Sequence, residues 1–75
     1  MKIALFIVMC SGVAGQCLEP YKLNIHDNFY NCMISGYEEA IKKTKEIGQE
    51  EIDEHKIYIK FVCAPEEKNQ KELDT

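Results

Sequence analysis

Ile3-Ala4-Leu5-Phe6-Ile7-Val8-Met9-Cys10 is an unbroken apolar run, and its reading decides the fold. Met1-Lys2 precede it, and the small residues Ser11-Gly12-Val13-Ala14-Gly15 follow it. Read as structure, residues 3–10 are a strand covered on both faces, because a half-exposed strand would alternate apolar and polar side chains. Residues 11–15 are then a turn. Read as an export signal, Lys2 is the positive n-region and residues 3–9 are the apolar h-region. Val13 and Gly15 then flank a cleavage site before Gln16. The run is too short for a transmembrane helix, which needs about 20 apolar residues. Gln16 before Cys17 also differs from the small residue that a lipoprotein signal places there. The strand reading leads, with a cleaved signal peptide over residues 1–15 as its alternative.

Residues 16–26 contain Pro20 and no clear period, so they read as an irregular connection. Over residues 28–47 apolar side chains recur at helical spacing: Tyr30, Met33, Tyr37, Ala40, Ile41, Thr44 and Ile47, with charges on the other side. Asp27 or Asn28 suits the N-cap, and Gly48 suits the position after the last turn. Lys42, Lys43 and Lys45 complement the negative end of the helix dipole. Gly36 costs a helix about 1 kcal/mol against Ala, which close approach to a strand would explain. Residues 49–55 are acidic and read as a short helical turn pinned by Ile52. Residues 56–63 alternate as a strand. Ile57, Ile59, Phe61 and Cys63 share one face, and Tyr58, Lys60 and Val62 share the other. Pro65 ends it, and residues 66–75 read as a polar disordered tail.

The expected fold is therefore α+β, a small β-α-β unit with a strand at 3–10, a helix at 28–47 and a strand at 56–63. A helical crossover permits the two strands to be parallel neighbours. One helix covers only one sheet face, and a two-stranded sheet is not stable alone in water. Phe6, Val8, Tyr58, Lys60 and Val62 are left on the other face as interface candidates. The expected remedy is a homo-oligomer, formed by edge pairing or by face-to-face packing of sheets.

Size sets the same limit. The chain has 75 residues and 8.7 kDa, enough for one domain over residues 1–65. A chain this short buries only about 60% of its unfolded surface, so it needs a disulfide, a metal or a partner subunit. Nine lysines and no arginine face thirteen acids, for a net charge of −4. That balance argues against a nucleic-acid partner, whose footprint is a basic face rich in Arg. Glu38→Lys42 and Glu39→Lys43 have the favourable i,i+4 order of a solvated helix face.

Cys10, Cys17, Cys32 and Cys63 are the disulfide candidates. They contain no C-x-x-C pair, and their scattered spacing does not suit structural zinc, so no metal ligands are assigned. All three connectivities stay open. Cys17 and Cys32 lie either side of the helix start, and in parallel strands Cys10 and Cys63 would meet at one end. Signal cleavage would remove Cys10 and leave an odd number. Four reduced, core-filling thiols are the remaining alternative. His26 and His55 sit at element boundaries, where no spacing selects a Cys–His nucleophile pair. Glu50, Glu51, Asp53 and Glu54 lack the pattern and Gly of a calcium loop. Tyr30 and Tyr37 lie on the helix's apolar stripe and read as core. There is no phosphate loop, G-x-S-x-G or H-E-x-x-H, so no catalytic residue and no cofactor is assigned.

The layout resembles short orphan proteins of marine tailed bacteriophages. The resembling parts are the Met-Lys-apolar start through Met9-Cys10-Ser11, Gly15-Gln16-Cys17, residues 32–39 (Cys-Met-Ile-Ser-Gly-Tyr-Glu-Glu), and residues 57–63 (Ile-Tyr-Ile-Lys-Phe-Val-Cys). The resemblance implies an accessory viral protein in the cytoplasm of an infected bacterium. It would act without catalysis by binding a host protein, or by sequestering a small nucleotide messenger. The composition itself leaves an exported, disulfide-stapled envelope protein as a further alternative, periplasmic or secreted with residues 1–15 removed.

Overall fold

A computed structural model of the chain describes residues 2–66. In chain order the elements are β1 (Ile3–Ser11), β2 (Gln16–Cys17), β3 (Tyr21–His26), α1 (Phe29–Ile47), α2 (Gln49–His55) and β4 (Ile57–Pro65). The protein is α+β, with a four-stranded antiparallel sheet. The apolar run is β1, the central strand. Its even-numbered residues bond to β4, since the Gly12 N–H donates to the Lys56 carbonyl and the Glu66 N–H to the Lys2 carbonyl. Its odd-numbered residues bond to the other edge, where the Leu18 N–H donates to the Met9 carbonyl. β2 and β3 share that second edge, β2 beside Cys10 and Ser11, β3 beside residues 3–7.

The expected parallel pairing is overturned: β1 and β4 are antiparallel, with Ile3 opposite Pro65 and Ser11 opposite Ile57. The cause lies in residues 16–26, which are not irregular but hold β2 and β3. Gly15 takes the left-handed conformation at the hairpin, φ 70°, which glycine adopts without steric cost. The chain then runs back along β1, so α1 starts at the Ile3 end of the sheet. At about 1.5 Å per residue a 19-residue helix spans about 28 Å, the length of a nine-residue strand. α1 therefore delivers β4 to the Ser11 end. The parallel pair joined by the helix is β3 and β4, with β1 inserted between them. Residues 21–26 do alternate, Tyr21, Leu23 and Ile25 against Lys22, Asn24 and His26, a strand pattern that the expected irregular connection overlooks. A bulge opposite Leu5 and Phe6 gives Leu23 an extra place in the ladder and so puts Leu23 and Ile25 on opposite faces.

Asn28 caps α1 by accepting the Asn31 N–H at 2.8 Å, and Gly48 follows its last residue. The short helical turn expected at residues 49–55 is α2, ended by Lys56 in the left-handed conformation, φ 54°. Of the expected tail, Glu66 pairs with Lys2 and Lys22, and the rest lies outside the described residues.

The core is Ile3, Leu5 and Cys32, with Leu23, Phe61 and Cys63 packed around them. Two constraints fix how α1 rolls on the sheet. Cys32 is bonded to Cys63 of β4, and Gly36 lies directly on the Phe61 ring. A Cβ on Gly36 would sit inside the van der Waals radius of that ring, so this position holds glycine despite its helix cost. The same roll overturns the expectation that Tyr30 and Tyr37 are core: they are 72% and 59% exposed. Beside the start of α1, Lys2 donates to Asp27 at 2.6 Å. That hydrogen bond and the lysine's charge hold the Asp27 carboxyl below its ordinary range. The clasp persists above that range and is released as acid protonates Asp27.

Gly36→Ala is expected to lower stability by about 1–3 kcal/mol through overpacking against Phe61, even though Ala is the better helix former. Urea unfolding measures this. A midpoint equal to or above that of the parent would mean that α1 stands off the sheet.

Candidate functional site

Side chains alternate across a sheet, so α1 covers only one face of it. The opposite face carries the even-numbered residues of β1 and β4. The register puts Phe6 beside Val62, Val8 beside Lys60 and Cys10 beside Tyr58. All five interface candidates therefore fall in one contiguous patch. Tyr58 and Val62 are half exposed (49% and 50%), Lys60 is exposed and Phe6 is partly covered. Val8 is only 8% exposed, because it lies on the central strand between its neighbours' side chains. Ile25 of β3 stands opposite Ala4 and extends the patch, 44% exposed. Sequence reading missed it along with β3. One end of the face is closed by Lys22, opposite Phe6, whose ammonium meets Glu66 at 2.7 Å.

This composition suits a protein interface, with aromatic and aliphatic area at the centre and polar groups at the rim. Chemistry that needs converging titratable groups is not assembled here. His26 stands opposite Ile3, whereas the His55 carbonyl accepts from Ser11 Oγ, so the two histidines lie at opposite ends of β1. His55 has Glu51 as its carboxylate neighbour, at 3.5 Å on α2. Among the described residues no three His, Cys, Asp or Glu side chains form a metal-ligand set, and no helix is long and apolar enough to cross a membrane. A concavity of about 260 Å³ at the hairpin end is lined by Met9, Ser11, Leu18, His55 and Ile57 among others. Among the described residues that line it, His55 is the one titratable side chain.

All four cysteines are bridged, Cys10 to Cys17 and Cys32 to Cys63. Neither suggested juxtaposition forms a bridge: not Cys17 with Cys32 about the helix start, nor Cys10 with Cys63, which the parallel pairing would have brought together. In the antiparallel ladder Cys10 stands opposite Tyr58 and Cys63 opposite Leu5, several residues apart along β1. Cys10 and Cys17 are register partners across the hairpin. The other bridge ties α1 to β4 and is sealed in the core, with Cys32 wholly buried.

No protein-family model, curated protein or solved structure matches the chain.

The two bridges are expected to differ in weight. Loop-closure entropy assigns roughly 4 kcal/mol to Cys32–Cys63, which spans 31 residues, and roughly 2.5 kcal/mol to Cys10–Cys17, which spans 7. Replacing each pair by alanine and comparing denaturant midpoints checks the order. Equal losses would contradict the assignment of the helix-to-sheet bridge as the main staple.

Proposed function

We propose that the protein is a non-enzymatic binding protein whose outer sheet face engages a partner protein. The observation that carries this reading is the apolar face itself. Phe6, Val8, Tyr58, Val62 and Ile25 lie together on a side of the sheet that, among the described residues, no helix covers. Contiguous exposed apolar area of this kind marks interaction sites rather than ordinary surface. Tyr58 is the natural anchor, an aromatic with a polar tip beside Lys60. The resemblance to phage accessory proteins makes the partner a host protein.

A second reading, an exported protein held together by its disulfides, draws support from the two closed bridges, which persist best in an oxidising compartment. The fold described here uses residues 3–11 as its central strand, so it belongs to the uncut chain. An oxidising setting would then have to be reached with residues 1–15 in place.

Photo-crosslinking side chains placed at Val62 and, as a control, at Lys45 on α1 test the binding reading in bacterial cells producing the protein. Discrete adducts are expected from position 62 and not from position 45. Tyr58→Asp with Val62→Asp is expected to cost about 2 kcal/mol or more of binding, roughly thirtyfold in Kd, with the circular dichroism spectrum unchanged. Equal adducts from both positions, or full binding by the double variant, would refute the outer face as the contact surface.

A further inference from the structure

We propose that the free edge of β4 and the uncharged stripe of α1 form one docking surface for a second copy of this chain, related by a two-fold axis beside Phe61. This surface is separate from the outer face and does not depend on it.

The edge follows from the ladder. β4 bonds to β1 through its even-numbered residues, as the Gly12-to-Lys56 and Glu66-to-Lys2 bonds show. The N–H and C=O groups of Ile57, Ile59, Phe61 and Cys63 therefore point away from β1. Among the described residues no strand pairs with that side. A nine-residue edge with one lysine and a terminal proline is poorly guarded against pairing.

The stripe starts on the same flank and climbs away from the sheet. Tyr37, Tyr30 and Ile41 lie about 100°, 120° and 140° round the helix from Gly36, and Ile34, about 160° round, is on its crest. Tyr30, Ile34, Tyr37 and Ile41 follow the 4-3-4 spacing of a heptad seam and are 72%, 44%, 59% and 56% exposed. Cys32 reaches the Ala4 carbonyl of β1 at 3.9 Å, Gly36 lies over Phe61 of β4, and Tyr37 meets the same ring edge-on at 4.8 Å. Turning about the helix from Cys32 through Gly36 to Tyr37, at 100° per residue, thus leads from β1 across β4 and past its free edge. The opposite flank carries Ser35, Glu39, Lys42 and Glu46.

A second copy satisfies both features at once. An antiparallel edge is its own complement under two-fold symmetry. Centred on Phe61, the pairing sets Ile59 opposite the partner's Cys63 and Lys60 opposite the partner's Val62. No like charges then face each other. The adjacent register would instead oppose Lys60 to the partner's Lys60. Strands lie about 4.8 Å apart, so a helix riding over β4 and β1 is about 5 Å from the axis. The two α1 helices are then about 10 Å apart, a helix-packing distance. Tyr37 falls beside the axis, with Tyr30 and Ile41 on either side of it along the helix. A foreign strand would satisfy the edge and leave the stripe in water.

Sedimentation equilibrium of the oxidised full chain reads the assembly. The expected mass is twice 8.7 kDa. Tyr30→Lys with Ile41→Lys is expected to give single chains with an unchanged circular dichroism spectrum, since both side chains are exposed, while Val62→Lys on the outer face keeps the dimer. A single-chain mass for the parent at high micromolar concentration overturns the proposal. So does a dimer that survives the stripe substitutions, or one that dissociates on Val62→Lys.

Discussion

β1 has no polar side chain from Ile3 to Cys10, so both of its faces and both of its edges must be shielded from water. The rest of the chain is arranged to meet that demand. β4 covers one edge along its whole length, β3 and β2 share the other, and α1 covers one face through Cys32, Gly36 and the Phe61 ring. Leu5 and Ile7 are sealed in consequence, each contributing about 1.5–3 kcal/mol through burial. Among the described residues the second face is closed by side chains of the neighbouring strands, Cys17 of β2 among them. That is enough to shield Ala4, Val8 and Cys10 on the central strand, but Tyr58, Val62 and Ile25 on the flanking strands stay half exposed.

Two features of a small chain compensate for this shortage of core. The Cys32–Cys63 bridge locks the helix to the sheet at the place where glycine allows the closest approach. The Cys10–Cys17 bridge closes the hairpin that turns the chain back along β1. The Cys32–Cys63 bridge and the Gly36–Phe61 contact fix the roll of α1, and that roll shapes the surface. It turns small residues toward the sheet and leaves Tyr37, Tyr30 and Ile41 toward the open edge of β4, with Ile34 on the crest of the helix. The apolar arc of α1 is wider than the sheet beneath it. The surplus on the helix and the unsatisfied edge on β4 lie on one flank, and the apolar outer face lies on another.

Much of this was legible in the residues. The unbroken apolar run marks a strand buried on both faces, the 3.6-residue period marks α1, and the alternation from Ile57 to Cys63 divides β4 between helix and open face. Gly36 signalled close packing because a helix interior has no other use for it. The five outer-face residues were found because strand alternation is independent of strand direction. Direction itself was not legible. It depends on β3, whose six residues alternate from Tyr21 to His26 but are too short a run, and too close to Pro20, to stand out, and whose bulge at Leu23 then moves Ile25 to the outer face. Without β3 the helix joins β1 directly to β4 and the strands read as parallel. The same omission hid Ile25 and displaced the cysteine pairs. Tyr30 and Tyr37 were misplaced because helical periodicity identifies an apolar arc but not which part of it meets the sheet.

Amide hydrogen exchange, resolved residue by residue in the oxidised protein, tests the central-strand arrangement most directly. Both edges of β1 are paired, so the account predicts that its amides from Ile3 to Cys10 exchange slowest in the molecule, odd and even residues alike. Exchange at those positions as fast as in β2 or α2, or protection confined to alternate residues, would show that β1 is not the strand around which the fold is built.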